Sequence, residues 1–122
     1  MVRLAFAAAL VLAACGQIDD DRPATLEYVT AAVLAPSCGN AQCHSSLTRA
    51  DNYVLDTVEA ARESINRFGL VTPNEPENSL LYLVLISPGG DNALPRMPYD
   101  QPMPDADVAL IRRWIEQGAS GL

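Results

Sequence analysis

Proline and glycine divide this chain into short segments and so limit it to a fold of short elements. Residues 88–104 (PGGDNALPRMPYDQPMP) are too rich in both for any regular element. An irregular loop of about 17 residues in a small domain usually has a function. The regular structure must therefore come from the rest of the chain, and this loop is a candidate for part of a site.

Two apolar stretches before that loop have the spacing of helices and recognisable ends. The first begins after Thr25, a good N-cap. We expect it to end before Pro36, because proline disfavours helical backbone at the preceding residue. The second stretch begins with Asp56 or Thr57 as its cap and ends at Gly69, a typical C-terminal residue of a helix.

Two further stretches predict two more helices. One covers residues 77–87, where the run at 80–86 is apolar on almost every side, so a strand is the competing interpretation. The other takes Asp105 as its N-cap and ends at Gly118. The pattern as a whole predicts an all-α fold of short helices, joined by one loop around two cysteines and by the long proline-rich loop.

Residues 1–15 (MVRLAFAAALVLAAC) have the pattern of an export signal. Arg3 precedes an unbroken apolar run at 4–14. As a helix this run is roughly 16 Å long, about half of the hydrocarbon thickness of a bilayer, so it is too short for a transmembrane helix. We therefore expect residues 1–14 to be a signal peptide that is removed.

The end of this signal, LAAC at 12–15, resembles the lipobox of bacterial lipoproteins, in which the cysteine becomes the lipidated first residue. The alternative is an ordinary cleaved signal with Cys15 near the cut. Residues 15–23 contain three consecutive aspartates and predict a solvated acidic tether ahead of a domain at 24–122. The lipobox implies a lipid anchor on Cys15 at the periplasmic side of the cell envelope. Gly16 resembles outer-membrane rather than inner-membrane sorting.

Composition excludes several classes of function. The chain has 122 residues, its eight cations are all arginine, and 15 acidic residues give a net charge of −7. Such a chain lacks the basic surface that nucleic acid requires. The single histidine, His44, excludes sites that need two imidazoles. Three cysteines are too few for a disulfide framework, although an exported protein is able to form a disulfide or thioether-linked haem.

The stretch Cys38-Gly39-Asn40-Ala41-Gln42-Cys43-His44 carries the chemistry. Two cysteines followed directly by a histidine form the attachment pattern of c-type haem. The thiols add across the two vinyl groups of the porphyrin, and the histidine binds the iron from one face. The usual spacer has two residues, and this one has four. Gly39 and Asn40 both tolerate left-handed backbone, which would let the extra residues bulge out.

With these residues the chain resembles the small bacterial c-type cytochromes. The similarity extends over about residues 25–119 and rests on the order of four stretches. They are the helix leading through Pro36-Ser37-Cys38 to Cys43-His44, PENSLLY at 76–82, Met97-Pro98, and DVALIRRWIEQGA at 107–119. The resemblance implies a cytochrome c-like domain with one haem bound covalently by Cys38 and Cys43. It also implies His44 and Met97 as axial ligands of the iron.

The residues themselves give separate support for a methionine ligand. Because His44 is the only histidine, another side chain must occupy the second face of the iron, and a thioether is usual in cytochromes that transfer electrons. Met1 leaves with the signal, so Met97 and Met103 remain. In the family the ligand Met-Pro lies about as far before the closing helix as Met97 lies before Asp105. Met97 is therefore favoured, and Met103 stays open.

A domain of this kind predicts one-electron transfer between redox partners in the envelope. We expect no enzyme, because the only histidine is already used and a six-coordinate iron leaves no position for a substrate. The acidic surface predicts partners with basic docking patches, and we expect a monomer. Arg49 and Arg96 are candidates to neutralise the haem propionates.

Other interpretations stay open. A disulfide between Cys38 and Cys43 would instead belong to a non-haem envelope lipoprotein, a small binding or structural module. A five-coordinate haem that senses gases would result if neither Met97 nor Met103 bound the iron. Structural zinc fits less well, because it needs four Cys or His ligands and this domain offers three.

Overall fold

The computed structural model of the protein describes residues 19–122. The predicted signal peptide at 1–14 and the predicted lipid-anchor residue Cys15 lie outside this range. The described residues are all-α: every regular element is helical and none is a strand. No helix among them is long and apolar enough to cross a membrane.

The first helical stretch passes through three segments without interruption. Helix α1 (Leu26–Val29) continues as a π-helical segment (Thr30–Leu34), and helix α2 (Ala35–Ser37) follows. Thr25 caps α1 as predicted, because its hydroxyl accepts the N–H of Tyr28 at 3.3 Å.

The prediction that this helix ends before Pro36 is wrong, because Pro36 lies inside α2. In a regular α-helix proline lacks a donor, and its ring collides with the carbonyl four residues earlier. The wider π-helical segment relieves this conflict, since the N–H of Ala35 bonds to the carbonyl of Thr30, five residues back. The helix therefore continues past the proline and has Cys38 at its C-terminal end.

The next helix lies at its predicted bounds, whereas the one after it is shorter than the predicted 77–87. Helix α3 (Val58–Phe68) has Thr57 as its N-cap and ends at Gly69, whose φ of 62° is left-handed. A 3₁₀ turn (Pro76–Asn78) precedes helix α4 (Leu80–Ile86). The strand alternative for residues 80–86 is therefore wrong.

Helix α5 (Asp105–Glu116) closes the fold. Its N-cap is Pro104, so Asp105 is the first helical residue and not the predicted cap. Trp114 lies at the centre of the core, where its indole N–H donates to the carbonyl of Ser120 at 3.0 Å. The other large side chains that are fully buried come from α1, the π-helical segment, α3 and α5: Leu26, Val29, Val33, Leu34, Ile65, Leu110, Ile111 and Ile115.

The described part of the predicted tether is bound to α5 rather than free in solvent. The guanidinium of Arg22 donates to Asp107 at 2.6 Å, and Arg113 donates to the carbonyl of Arg22 at 2.8 Å. Folded contacts therefore begin at least as early as Asp20, which forms an ion pair with Arg22.

The loop after Cys38 packs tightly against the chain that leads into α3. A Cβ added to Gly39 would lie 2.7 Å from the Cα of Asp56 and 2.9 Å from the carbonyl carbon of Leu55. Gly39 is thus required for close approach of two backbone segments. This differs from the sequence interpretation, because Gly39 and Asn40 are not among the residues with a positive φ.

Asn40 closes the four-residue spacer between the cysteines as a compact turn. Its side-chain oxygen accepts the N–H of Gln42 at 3.1 Å, and its carbonyl accepts the N–H of Cys43 at 3.1 Å. Asparagine side chains commonly stabilise turns in this way. The two extra spacer residues are therefore accommodated by an asparagine turn with no left-handed residue.

We predict that Gly39→Ala destabilises the protein by about 1–3 kcal/mol, because the added methyl group forces two backbone segments apart. Urea denaturation followed by circular dichroism measures this change. Ala41→Ser, in the exposed part of the same spacer, is the control and should cost less than about 0.5 kcal/mol. Equal unfolding midpoints for the two variants would show that the close approach is absent.

Candidate functional site

One cavity brings together side chains from distant parts of the chain. Its volume is about 680 Å³, and its lining includes Cys38, Cys43, His44, Met97 and Met103. Cofactor pockets have volumes of roughly 300–1,000 Å³. The structure thus brings both predicted attachment cysteines, the histidine and both candidate methionines to a cavity of cofactor size.

A second, smaller cavity of about 70 Å³ adjoins the first. Cys38, His44, Asp51 and Met97 line both cavities, whereas Met103 lines only the larger one. The other residues that line the smaller cavity are aliphatic, with one tyrosine. These lining residues are Tyr53, Leu55, Leu70, Leu80, Leu81, Val84 and Leu85.

Three hydrogen bonds fix the position of His44. Its backbone N–H donates to the carbonyl of Cys38 at 2.9 Å, and its carbonyl accepts the N–H of Leu55 at 2.7 Å. Its ring nitrogen Nδ1 lies 2.9 Å from the carbonyl oxygen of Ala50. Because a carbonyl only accepts, Nδ1 carries the proton of the neutral ring. Nε2 then keeps a free lone pair, as a metal-binding imidazole requires.

The loop that carries Ala50 has an unusual backbone. Arg49, Asp51 and Asn52 have positive φ values of 51°, 52° and 66°. This conformation is uncommon outside glycine, and such residues cluster at ligand-binding segments. The N–H of Ala50 donates to the carbonyl of Cys43 at 3.1 Å. The loop that orients His44 is therefore itself bound to the cysteine segment.

Aromatic packing gives His44 a further support that the sequence did not indicate. The rings of His44 and Tyr53 have centroids 5.6 Å apart, and Tyr53 meets Phe68 edge to face at 5.0 Å. Aromatic pairs at such distances are favourable beyond their burial. Tyr53 belongs to no motif, so only the folded loop reveals that it packs on the histidine.

The two thiols have different surroundings. Both are free, but Cys38 is buried and Cys43 is half-buried. Burial raises the pKa of the Cys38 thiol to about 11, with a smaller contribution from Cys43. Cys38 is therefore a neutral thiol at physiological pH. It lacks the thiolate character of the reactive cysteines in thiol–disulfide oxidoreductases.

The two candidate methionines also differ. Met103 is only 6% exposed and packs within the hydrophobic core, in addition to lining the larger cavity. Met97 is half-buried, and its N–H donates to the carbonyl of Val84 at 2.9 Å, which fastens the long loop to α4. Met97 thus lines both cavities together with His44 and Cys38 and is not part of the hydrophobic core.

Neither arginine that the sequence suggested for haem propionates lines the cavity. Arg49 donates from Nε to the carbonyl of Ser46 at 3.1 Å, and Arg96 donates to the carbonyl of Tyr99 at 3.3 Å. Among residues 19–122, no arginine is part of the larger cavity's lining. The charged side chains of that lining are all acidic: Asp51, Asp100 and Asp107.

Asp56 fastens the chain that follows His44. Its carboxylate accepts the N–H of Ser46 at 2.7 Å, and this hydrogen bond lowers the pKa of Asp56. The sequence offered Asp56 or Thr57 as the cap of α3, and the structure divides the two roles. Thr57 caps the helix, accepting the N–H of Ala60 at 3.2 Å, while Asp56 holds the loop of the site against it.

Within the part of the chain that the structure describes, no group of three or more His, Cys, Asp or Glu side chains is arranged to hold a metal ion. Comparisons with protein-family models, with curated proteins and with solved structures find no match to this chain. The function of the site has to be inferred from its own geometry.

Because Asp56 accepts the N–H of Ser46, we expect the free energy of unfolding to depend on pH. A carboxyl group whose pKa is lowered by folding stabilises the protein above its unfolded pKa of about 3.9, and this contribution is lost as pH falls through the lower folded value. Asp56→Asn should lower the free energy of unfolding by about 1 kcal/mol at pH 6. The deficit should shrink as the pH falls toward 3.

Urea titrations at pH 6, 5, 4 and 3 measure this difference. Asp91→Asn, on an exposed part of the long loop, is the control and should follow the wild-type profile. A constant deficit for Asp56→Asn at every pH would contradict a charged carboxylate at this bond.

Proposed function

We propose that this protein is a monohaem c-type cytochrome that transfers single electrons in the bacterial cell envelope. The observation that carries this proposal is the shared lining of one cavity of about 680 Å³ by Cys38, Cys43, His44 and Met97. The Cys-x4-Cys-His pattern indicates the first three as attachment points and ligand, and the resemblance to c-type cytochromes favours Met97 over Met103 as the second ligand. The four residues come from two segments of the chain more than 50 positions apart.

The residues around the cavity fit a covalently bound haem. The leucine and valine side chains of the smaller cavity suit an apolar porphyrin face. Cys38 and Cys43 would hold the porphyrin edge through thioether bonds, and His44 would bind the iron through its free Nε2. Haem, when bound, supplies an iron that gains or loses one electron.

The chain's own contacts would tune such a site. The carbonyl of Ala50 keeps the His44 ring oriented. By accepting the Nδ1–H it also makes Nε2 more basic, and so a stronger ligand for the iron. The thioether of Met97 on the other face would favour the reduced iron and raise the reduction potential. The two effects oppose each other, so the potential depends on the balance between them.

Two axial protein ligands leave no position for a substrate, which supports electron transfer rather than catalysis. The acidic cavity lining supports a partner with a basic docking patch, and their association should weaken as salt increases. We further propose that the monomeric domain is anchored by lipid on Cys15 at the periplasmic side, in the outer rather than the inner membrane.

Covalent attachment is the first prediction of this proposal. Protein made in a host that attaches haem should keep its haem in acid acetone, because thioether bonds survive denaturation. Its mass should equal the polypeptide plus one haem. Cys15→Ser is the control: it should release the protein from membranes and still carry haem. A haem-free chain lighter by two hydrogens would contradict the proposal and indicate a Cys38–Cys43 disulfide.

The sixth ligand is tested by two matched variants. Met97→Ala should abolish the sulfur-to-ferric-iron charge-transfer band, open the site to carbon monoxide and lower the potential. Met103→Ala should keep the band and the potential but lose about 2–5 kcal/mol of stability, because it empties a buried position.

The reverse pattern, with the band lost only in Met103→Ala, would identify Met103 as the ligand and leave the cytochrome proposal standing. A spectrum unchanged in both variants would show that no methionine binds the iron. The five-coordinate gas sensor would then replace electron transfer as the function.

A further inference from the structure

A network of ion pairs fastens the chain ahead of the domain to α5. We call it the N-terminal clasp, and its members are Asp20, Arg22, Asp107 and Arg113. The Nε and Nη2 of Arg22 each donate to an oxygen of Asp20 at 2.8 Å, and its Nη1 donates to Asp107 at 2.6 Å. Arg113 lies 3.5 Å from the Asp20 carboxylate. Arg22 is thus held by two carboxylates, one of them in a bidentate pair.

Backbone groups strengthen the clasp. Arg22 also donates to the carbonyl of Ala106, and Arg113 donates to the carbonyl of Arg22, both at 2.8 Å. The four side chains of the clasp are 24–27% exposed. Single surface ion pairs contribute little, but a bidentate network that includes backbone acceptors contributes more. The contacts therefore bind residues 20–22 along α5 from Ala106 to Arg113.

The clasp lies at the edge of the cavity, because Asp107 belongs to both. Asp20 is five positions after Cys15. Even fully extended, five residues span at most about 17 Å. A tether free up to residue 24 would instead allow about 31 Å. The clasp therefore roughly halves the maximum length of free tether between Cys15 and the folded domain.

We propose that the N-terminal clasp holds the edge of the cavity next to the membrane surface, so that the cavity edge lies within reach of the lipid headgroups. This inference rests on the proposed lipid anchor at Cys15. A domain of about 100 residues is roughly 30 Å across, given its radius of gyration of about 13 Å. A tether that reaches no more than about 17 Å is only about half that width, so the side of the domain that carries the clasp is the side nearest the membrane.

The experiment uses the full, lipidated and haem-loaded chain in phospholipid vesicles, with a short photo-crosslinker on one introduced cysteine. Gln101→Cys places the probe on an exposed residue of the cavity lining. Glu63→Cys places it on an exposed position of α3, a helix that does not line this cavity. Mass spectrometry counts lipid adducts at each position.

We expect the adduct yield at Gln101→Cys to exceed that at Glu63→Cys several-fold. Asp20→Asn and Asp107→Asn, each in the background of either probe, should reduce this ratio to near one. Asp20 lies outside the core, so its variant keeps the test valid if Asp107→Asn folds poorly. Asp105→Asn, an exposed aspartate two positions before Asp107 with no ion pair among the described residues, is the control and should keep the ratio.

Equal yields at the two probes in the otherwise unchanged chain would overturn the inference, as would a ratio that survives in both clasp variants. A chain that does not bind the vesicles would overturn the lipid anchor and the inference together. The haem proposal is judged separately, since colour and mass are read from the same samples before cross-linking.

Discussion

The bond from the Nδ1 of His44 to the carbonyl of Ala50 constrains the rest of the site. It leaves Nε2 as the free nitrogen and requires the chain to return to the histidine within six residues. That return is made by a loop with three left-handed residues around Ala50. The loop is then closed by backbone bonds from Ala50 to Cys43 and from Leu55 to His44. One imidazole orientation thus depends on the whole segment between the first cysteine and α3.

The helices hold this segment from both ends. On one side, the π-helical segment lets the first helix pass Pro36 and deliver Cys38 at its end. On the other, Asp56 binds the N–H of Ser46, and Gly39 allows the two backbones to touch. The site is therefore assembled by local backbone geometry, and the core packs behind it around Trp114. The long loop completes the cavity from the far side by bringing Met97 to it.

The parts of this arrangement that the sequence predicted are those governed by neighbouring residues. The caps Thr25 and Thr57 and the terminator Gly69 act within one helical turn, so their residue types suffice. The prediction that the first helix ends before Pro36 is wrong, because a π-helical segment allows the helix to continue past the proline. Such a segment has no clear sequence signal. The N-terminal clasp joins Arg22 to Asp107, 85 positions away, and local sequence patterns do not predict such a distant contact. The shared cavity of the cysteines, His44 and the methionines also required the fold, although their residue types indicated the same group.

The most direct measurement is a crystal structure of the protein purified from a host that attaches haem to exported chains. We expect continuous density from the Sγ atoms of Cys38 and Cys43 to one porphyrin. We also expect His44 Nε2 on one face of the iron, the Met97 sulfur on the other, and Nδ1 of His44 still hydrogen-bonded to the carbonyl of Ala50. A disulfide between Cys38 and Cys43, with no porphyrin in the cavity, would contradict the haem proposal.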